Sequence, residues 1–419
     1  MSLTPPATVA ARPAADPAQR TATAVLLKRL LWVARSLLGL LVLAWSLLLI
    51  GWLTLHWGIL PHIHQWRGPI EERASKALGL PVRIGNIEVR SSGWVPSFEL
   101  REVQLLDAEK RPALRLPRVF AAVSTRSLLS LEPRFEQLLI DGAELDIRRD
   151  AKGRISVAGL DFSGANDGDG SAVADWFFNQ GEFVIRGGAL RWTDELRGAA
   201  PLALSDLQLV VRNGLRSHSF RLDATPPPEW GDRFGASGRF SQPLLARSGD
   251  WRRWSGQAHV SLPRADVREL RQHVALPFEL SEGDGALRGW FELKDGRPTA
   301  ATVDVALRAV SMRLANNVEP LKVEEVEGRL LAQRTRDGFS VEAQHFSFLT
   351  GDNIRWPRGD MRLALRQRDG DAAVSGGSFS AERLDVGQMA QIAARIPLGD
   401  AVRHLLTEVN PQGSVSNLA

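Results

Sequence analysis

Apolar and polar residues alternate with a period of two from Pro81 almost to the end of the chain, with interruptions. Such alternation predicts β-strands with one apolar face and one polar face. Dipeptides typical of tight turns separate many runs, which predicts antiparallel strands joined by short connections. These turn signals are Asp141-Gly142, Lys152-Gly153, Gly187-Gly188, Asp295-Gly296, Asp337-Gly338 and Asp369-Gly370. We therefore predict a mainly β protein, with an extended, twisted antiparallel sheet and a few short helices.

The apolar positions of these runs are the candidate functional residues, because they define one face of the predicted sheet. Alternation alone does not decide what covers that face. Stacked β-sandwich domains with filled cores fit the pattern as well as a long open sheet that contacts an apolar ligand. The candidates are Phe98, Leu100, Val103, Leu105, Leu138, Ile140, Leu145, Ile147, Leu190, Trp192, Leu207, Leu209, Phe220, Leu222, Val303, Val305 and Leu307.

Two stretches interrupt the strand pattern, at 266–274 and 385–406, and we expect both to be helical. They resemble each other, since Ala265-Asp266-Val267 opens the first and Leu384-Asp385-Val386 opens the second. We interpret them as a degenerate repeat of a helix followed by new strands. Residues 416–419 then open a further strand. We therefore expect the chain to be a fragment of a longer polypeptide.

Residues 37–55 contain no charged side chain, and as a helix they span ~28 Å, close to the hydrocarbon thickness of a bilayer. Lys28, Arg29 and Arg35 precede this run, whereas the next cation after it is Arg67, so the N-terminus is predicted to be cytoplasmic. We favour an uncleaved anchor over a signal peptide, because the run is long and no small-residue cleavage site follows it. The anchor residues are Trp32, Leu37, Leu41, Trp45, Leu48, Trp52 and Leu55.

The chain thus divides into a basic tail at 1–36, a transmembrane anchor at 37–55, a membrane-proximal segment at 56–80 and a β region at 81–419. In the membrane-proximal segment, the apolar residues of 63–78 fall on one helical face, and Gly79 and Pro81 end the predicted helix. We favour a helix that packs on the core of the next domain over one that binds the membrane independently.

Candidate chemistry is sparse. The 419 residues include no cysteine, which excludes disulfides, thiol catalysis and Cys-ligated metal centres. The net charge is only +4, and no basic block lies beyond the N-terminus, so we expect no nucleic-acid partner. The sequence has no nucleophile elbow, phosphate loop or His-Glu-x-x-His motif, and the loop at Asp167 fails the calcium-loop pattern. We predict a non-enzyme without a cofactor or metal.

Short motifs follow the anchor in a characteristic order, and they include Leu78-Gly79-Leu80-Pro81, Leu100-Arg101-Glu102-Val103, Ile140-Asp141-Gly142 and Ala189-Leu190-Arg191-Trp192. This order resembles YhdP-type members of the AsmA-like family of Gram-negative bacteria. The motifs end near Asp194; beyond it only the strand pattern supports the resemblance. The resemblance implies a repeating β-groove with an apolar concave face, similar to bridge-like lipid-transfer proteins. It also implies an anchor in the bacterial inner membrane, with the bulk of the chain in the periplasm.

The function that the resemblance implies is movement of phospholipid toward the outer membrane, in support of its permeability barrier. The implied partners are membrane phospholipid and the inner membrane bilayer, and no partner protein is indicated. The absence of catalytic motifs agrees with this function, because an apolar surface lowers the cost of moving acyl chains without chemistry. The alternative is a periplasmic scaffold or assembly factor whose β domains bind proteins, which would have filled cores. An envelope hydrolase is a third, weaker hypothesis.

Overall fold

The computed structural model describes residues 17–59, 65–78, 81–90, 97–106, 112–124, 134–157, 160–161, 169–273, 278–335, 338–367, 374–409 and 411–418. The chain forms two compact units, Met1–Trp66 and Arg67–Ala419. The helices are α1 (Pro17–Leu53), α2 (Arg67–Leu78), α3 (Asp169–Phe178), α4 (Val267–Leu270), α5 (Val386–Ile392) and α6 (Asp400–Val409). Short 3₁₀ turns lie at Trp251–Arg253 and Ala393–Arg395.

The strands make up most of the second unit. They are β1 (Val82–Arg90), β2 (Ser97–Leu106), β3 (Pro112–Val123), β4 (Phe135–Asp141), β5 (Glu144–Arg149), β6 (Ile155–Val157), β7 (Leu160–Asp161), β8 (Glu182–Asp194), β9 (Leu202–Asn213), β10 (Ser217–Thr225), β11 (Phe234–Ser241), β12 (Ser255–Asp266), β13 (Glu279–Lys294), β14 (Arg297–Arg313), β15 (Leu321–Thr335), β16 (Gly338–Thr350), β17 (Arg355–Gln367), β18 (Val374–Asp385) and β19 (Ser414–Leu418). The prediction of a mainly β fold with few short helices is confirmed.

In the first unit, α1 continues into a π-helical turn at Thr54–Ile59, which contains Leu55 of the predicted anchor. The segment Arg29–Leu53 is long and apolar enough to cross a membrane, and its described side chains are not buried within the protein. Trp32 and Trp45, for example, are largely exposed. The helix therefore fits a single membrane-spanning anchor and begins earlier than the predicted boundary at residue 37.

The described strands of the second unit form one 19-stranded sheet. Neighbours from β1 to β3 and from β8 to β19 pair antiparallel. On its other side β8 pairs with β4 and β5, and these two pairings are parallel. Between β5 and β8 the chain passes through β6, β7 and α3, which gives it the length that a parallel crossover needs. The sheet is therefore mixed, although the pattern predicted antiparallel pairing throughout.

Two of the predicted turn signals do not reverse the chain. Residues on both sides of Gly142 pair in parallel with β8 in unchanged register, so the chain passes Asp141-Gly142 without reversing and continues from β4 into β5. Gly187-Gly188 lies inside β8, where the register with β9 shifts. Both Gly142 and Gly187 have positive φ, which glycine adopts within an interrupted strand as well as in a tight turn. The interpretation of these two dipeptides as hairpin turns is therefore wrong.

Lys152-Gly153 and Asp295-Gly296 do connect antiparallel neighbours, β5 with β6 and β13 with β14. The signal at Asp369-Gly370 lies outside the described residues, as does Asp337 of the signal before β16. The helix predicted over 63–78 is described from Arg67, because 60–64 are not among the described residues.

The two segments predicted as a repeat have the same local structure. Asp266 ends β12 and caps α4, with its side chain accepting a hydrogen bond from the backbone N–H of Arg268. Asp385 ends β18 and caps α5, accepting from the N–H of Gln388. An aspartate at this position satisfies a free N–H group of the first helical turn. The second segment is broken into two helices, in agreement with its Pro397 and Gly399.

A well-packed cluster lies where α4 meets the ends of β13 to β15. Its buried members are Val267, Leu307, Val310, Leu321, Val323 and Val326. A second cluster, with Ile354, Trp356 and Ile392, lies under α5. These two helices thus cover one end of the strands on which they pack.

Candidate functional site

Two rows of apolar side chains cross the sheet from strand to strand. Residues that pair directly on neighbouring strands point to the same face, so the register identifies each row. The first apolar row is Val89, Phe98, Ala121, Leu138, Phe183, Val211, Phe220, Gly238, Ala258, Phe291, Ala301, Ala332, Val341, Leu363 and Phe379. Every position in it is apolar or glycine, from β1 to β18.

The second apolar row lies two residues along each strand from the first. It consists of Ile87, Leu100, Val119, Ile140, Ile185, Leu209, Leu222, Ala236, Val260, Gly289, Val303, Leu330, Ala343, Met361, Ala381 and Leu418. It too contains only apolar residues and glycine. The two rows together form what we call the apolar face.

The opposite face of the central strands is polar. A row traced there in the same way is Asp223, Gly235, Ser261, Arg288, Asp304, Arg329 and Gln344. Arg329 Nε lies 2.6 Å from Asp304 Oδ1. The hydrogen bond from Arg329 holds the pKa of the Asp304 carboxyl below its ordinary value. This side of the sheet therefore faces water, whereas the two rows on the other side carry no charge.

The apolar face changes from filled to open along the sheet. Near the first strands its members are buried, as Ile87, Val119 and Ile185 are. On β17 and β18, Leu363 and Phe379 are each 39% exposed. The described strands form one hydrogen-bonded sheet, without the separate paired sheets that stacked sandwich domains have. The later strands therefore present an apolar surface to whatever occupies that side.

The predicted candidates all lie on or beside the apolar face. Eight belong to the two rows, namely Phe98, Leu100, Leu138, Ile140, Leu209, Phe220, Leu222 and Val303. Val103, Leu105, Leu145, Ile147, Leu190, Trp192 and Val305 continue the same strands in adjoining pairs. Leu207 and Leu307 lie two residues along their strands from Leu209 and Val305, and both are buried. Contact of the candidates with lipid stays a prediction.

The candidate list missed row members such as Phe183, Leu330, Leu363 and Phe379. The same alternation would have found them, since they occupy equivalent positions in their strands. A second omission had no local signal. An aromatic pocket of about 380 Å³ adjoins the apolar face where α3 and the loop before β12 meet it. Its lining includes Phe177, Phe178, Phe240, Trp251, Trp254 and the row members Leu209, Val211 and Phe220.

His218 forms the most buried polar part of this pocket. Its ring stacks on Trp254 at a centroid distance of 4.0 Å. Nδ1 lies 2.9 Å from Asn213 Oδ1, and Nε2 lies 3.1 Å from Gln242 Oε1. The amide NH2 of Asn213 donates to the carbonyl of Gln180, so its oxygen is left to accept from Nδ1–H. Nε2 of a neutral ring then only accepts, so the side-chain amide of Gln242 pairs with it through its NH2 group. Burial lowers the pKa of His218 below its ordinary value, which favours a neutral ring that supports the pocket.

The described residues contain no group of three or more His, Asp or Glu side chains placed to hold a metal ion. The most buried carboxylates have structural partners: Glu99 with Arg101, and Asp194 with Arg149. These contacts account for the carboxylates as parts of the fold. The absence of an enzymatic activity and of a cofactor stays a prediction.

Fold and site together define a class: a mainly β protein with one large sheet that carries a continuous apolar face, and an N-terminal apolar helix. The chain belongs to the YhdP family, because the model of the family described as YhdP protein matches residues 21–419. The match extends well beyond Asp194, where the recognisable motifs end. No curated protein matches the chain, and no solved structure does. The predicted family resemblance is confirmed, and this family is not a known enzyme family.

Proposed function

We propose that this chain is anchored in the bacterial inner membrane and conducts phospholipid through the periplasm toward the outer membrane along its apolar face. In this role it supports the permeability barrier of the outer membrane. The observation that carries the proposal is the continuity of the two apolar rows, which no charged or polar side chain interrupts between β1 and β18. Membership of the YhdP family supports the same assignment.

The energetics of lipid movement favour such a surface. Moving two acyl chains of ~16 carbons into water costs on the order of 25 kcal/mol, at ~0.8 kcal/mol per methylene. An apolar face shields those chains and leaves the headgroup in water at its rim. With neighbouring strands ~4.8 Å apart, the row from β1 to β18 extends over roughly 70 Å of path. Lowering the free-energy cost of exposing acyl chains to water along that path needs no catalytic residue.

The orientation follows from the charges around the span. Lys28, Arg29 and Arg35 lie before or at its start, and the first cation after it is Arg67. Positively charged segments remain on the cytoplasmic side, so the sheet lies in the periplasm.

Site-specific photo-crosslinking in cells tests the proposal. A crosslinker at Phe220 or Leu363, both on the first apolar row, is expected to capture phospholipid. The matched controls are Arg221 and Arg362, the next or preceding residues on the same strands, which face the other side. Crosslinks to protein alone at the row positions would contradict the conduit and support the alternative of a scaffold or assembly factor. Equal lipid capture at row and control positions would also contradict it.

A further inference from the structure

Three leucines at the tips of two adjoining loops are almost fully exposed. Leu215, in the turn between β9 and β10, is 86% exposed, and Leu244 and Leu245, after β11, are 77% and 98% exposed. The two loops are joined, since the N–H of Gln242 donates to the carbonyl of Arg216 and the Arg216 guanidinium donates back to the carbonyl of Gln242. We call these three leucines the leucine tip. Clustered exposed leucines are a frequent mark of an interaction surface.

The loop that carries Leu244 and Leu245 is held firmly on α3. The N–H of Gly249 donates a 2.6 Å hydrogen bond to Asp175 Oδ1, and Ser248 Oγ lies 3.0 Å from Asn179 Oδ1. An N–H from Ala246 to the carbonyl of Pro243 closes a turn at the tip itself. The leucines are therefore displayed by a well-bonded loop and are not exposed because the loop lacks contacts.

The charges beside the leucine tip are mainly positive. Arg216 lies next to Leu215, and Arg247, Arg252 and Arg253 follow Leu245. Two acids offset part of this positive charge, since Asp175 on α3 contacts Arg247 at 3.8 Å and Asp250 contacts Arg253 at 4.0 Å, and the arginines still outnumber them. Trp251 is partly exposed, and the guanidinium of Arg252 lies 5.4 Å from its ring centroid. Leucine, tryptophan and arginine together suit the surface of a bilayer that contains anionic lipid, where apolar groups enter the acyl region and arginines meet phosphates.

The leucine tip is also connected to the apolar face. Trp251, in the same loop, lines the aromatic pocket, and the far side of that pocket is formed by Leu209, Val211 and Phe220 of the two rows. We propose that the leucine tip inserts into the surface of an anionic lipid bilayer and thereby places the aromatic pocket where an acyl chain can enter it. The loading role of the pocket rests on the proposed function, whereas docking of the tip does not.

The absence of native cysteine allows a single label to report insertion. The full chain carrying Leu245→Cys, labelled with a polarity-sensitive fluorophore, is held by its anchor in phosphatidylcholine nanodiscs and mixed with vesicles. A matched control is Leu196→Cys, another exposed leucine, in the turn between β8 and β9 at the opposite ends of the strands. We expect a blue shift at Leu245→Cys with vesicles that contain phosphatidylglycerol, a smaller shift with phosphatidylcholine alone, reversal by salt, and none at Leu196→Cys.

A second variant addresses the leucines themselves. With the label moved to Leu215→Cys, the double substitution Leu244→Ser and Leu245→Ser is expected to raise the vesicle dissociation constant about tenfold for each leucine removed. Both sites are exposed, so the fold is retained, which circular dichroism checks. Docking of the tip is overturned if Leu245→Cys never shifts, if Leu196→Cys shifts equally, or if the shift appears on concentrating the protein without vesicles, which would indicate a protein partner.

The two proposals fail separately. Lipid crosslinks at Phe220 and Leu363 together with an unshifted Leu245→Cys label would reject the tip and leave the conduit standing. A shifted label without lipid crosslinks at any row position would reject the conduit and leave a membrane-docking loop.

Discussion

The backbone N–H of Ile84 on β1 donates a 2.7 Å hydrogen bond to Glu71 Oε1 on α2. The N–H of Val82 donates to Ser75 Oγ, and Arg67 Nη1 donates to the carbonyl of Gly85. Among the described strands β1 pairs only with β2, so these groups belong to the free edge of the sheet. An uncovered edge can pair with another chain. Side chains of α2 thus close the first edge of the sheet.

Removal of the Glu71 carboxylate should therefore weaken this edge. We expect Glu71→Ala to cost about 1–2 kcal/mol, because the N–H of Ile84 loses its acceptor and Arg67 loses its ion pair. Urea unfolding measures the loss, and hydrogen exchange at Ile84 should become faster. Glu72→Ala is the matched control, since Glu72 pairs only with the exposed Lys76 and its removal should cost less than ~0.5 kcal/mol. Equal losses in the two variants would contradict an edge-capping role for Glu71.

Leucines of the sheet should separate into structural and lipid-contacting groups. Leu207 is 0% exposed, so Leu207→Ala should lower the free energy of unfolding by about 2–5 kcal/mol through the cavity it leaves. Leu363 lies at a partly exposed position of the first apolar row, so Leu363→Ala should lower the free energy of unfolding by only ~0.5 kcal/mol. Chemical denaturation of the two variants measures the difference. A large loss of stability at Leu363 would mean that its side of the sheet is packed and closed to lipid.

A charge on the apolar face should block the passage of lipid. Leu363→Asp places a carboxylate on the first row between Val341 and Phe379. We expect photo-crosslinking of phospholipid to fall at Phe379, which lies beyond Leu363 along the row counted from β1, and to persist at Phe220. The control Ala364→Asp adds the same charge to the next residue, on the opposite face beside Ser340 and Ser378. An unchanged lipid signal at Phe379 in Leu363→Asp would argue against a continuous path.

The buried His218 should make the protein less stable in mild acid. Burial lowers the pKa of His218 below the ordinary value of 6.5, so below that pH the unfolded chain binds a proton that the folded chain refuses. The stability associated with the neutral ring is present above pH 6.5 and is lost as the pH falls toward the folded pKa. His273 has its pKa lowered by burial as well, and it contributes in the same direction.

Thermal unfolding between pH 7 and pH 5 measures this dependence. We expect His218→Gln to lose less stability on acidification than the parent chain, although its melting temperature at pH 7 is lower than that of the parent. His404→Gln, at an exposed position on α6, should keep the parent pH dependence. If the melting temperature of His218→Gln falls with pH as steeply as that of the parent, His218 is excluded as a source of the pH dependence.

Local sequence pattern was sufficient for the main features. The apolar run at 37–55 predicts a helix long enough to span a membrane, because its length and composition are local properties. The alternation around Phe220 and Leu222 places these two side chains on one face of their strand, because that depends only on neighbours in the sequence. The caps at Asp266 and Asp385 were also readable, since an aspartate before a helix satisfies that helix's own first turn. These features need no knowledge of distant partners.

Other features depended on which strands pair. The dipeptide Asp141-Gly142 permits a positive φ, and that conformation occurs in a hairpin turn or within a strand that continues. Only the parallel pairing of both β4 and β5 with β8 shows that the chain continues without reversing. The aromatic pocket is a stronger case, because Phe177, Phe220 and Trp254 come from separate elements and meet only through the tertiary fold. Sequence alone determined the apolar helix and the apolar face; tertiary pairing decided how the strands align into unbroken rows, and where a pocket opens beside them.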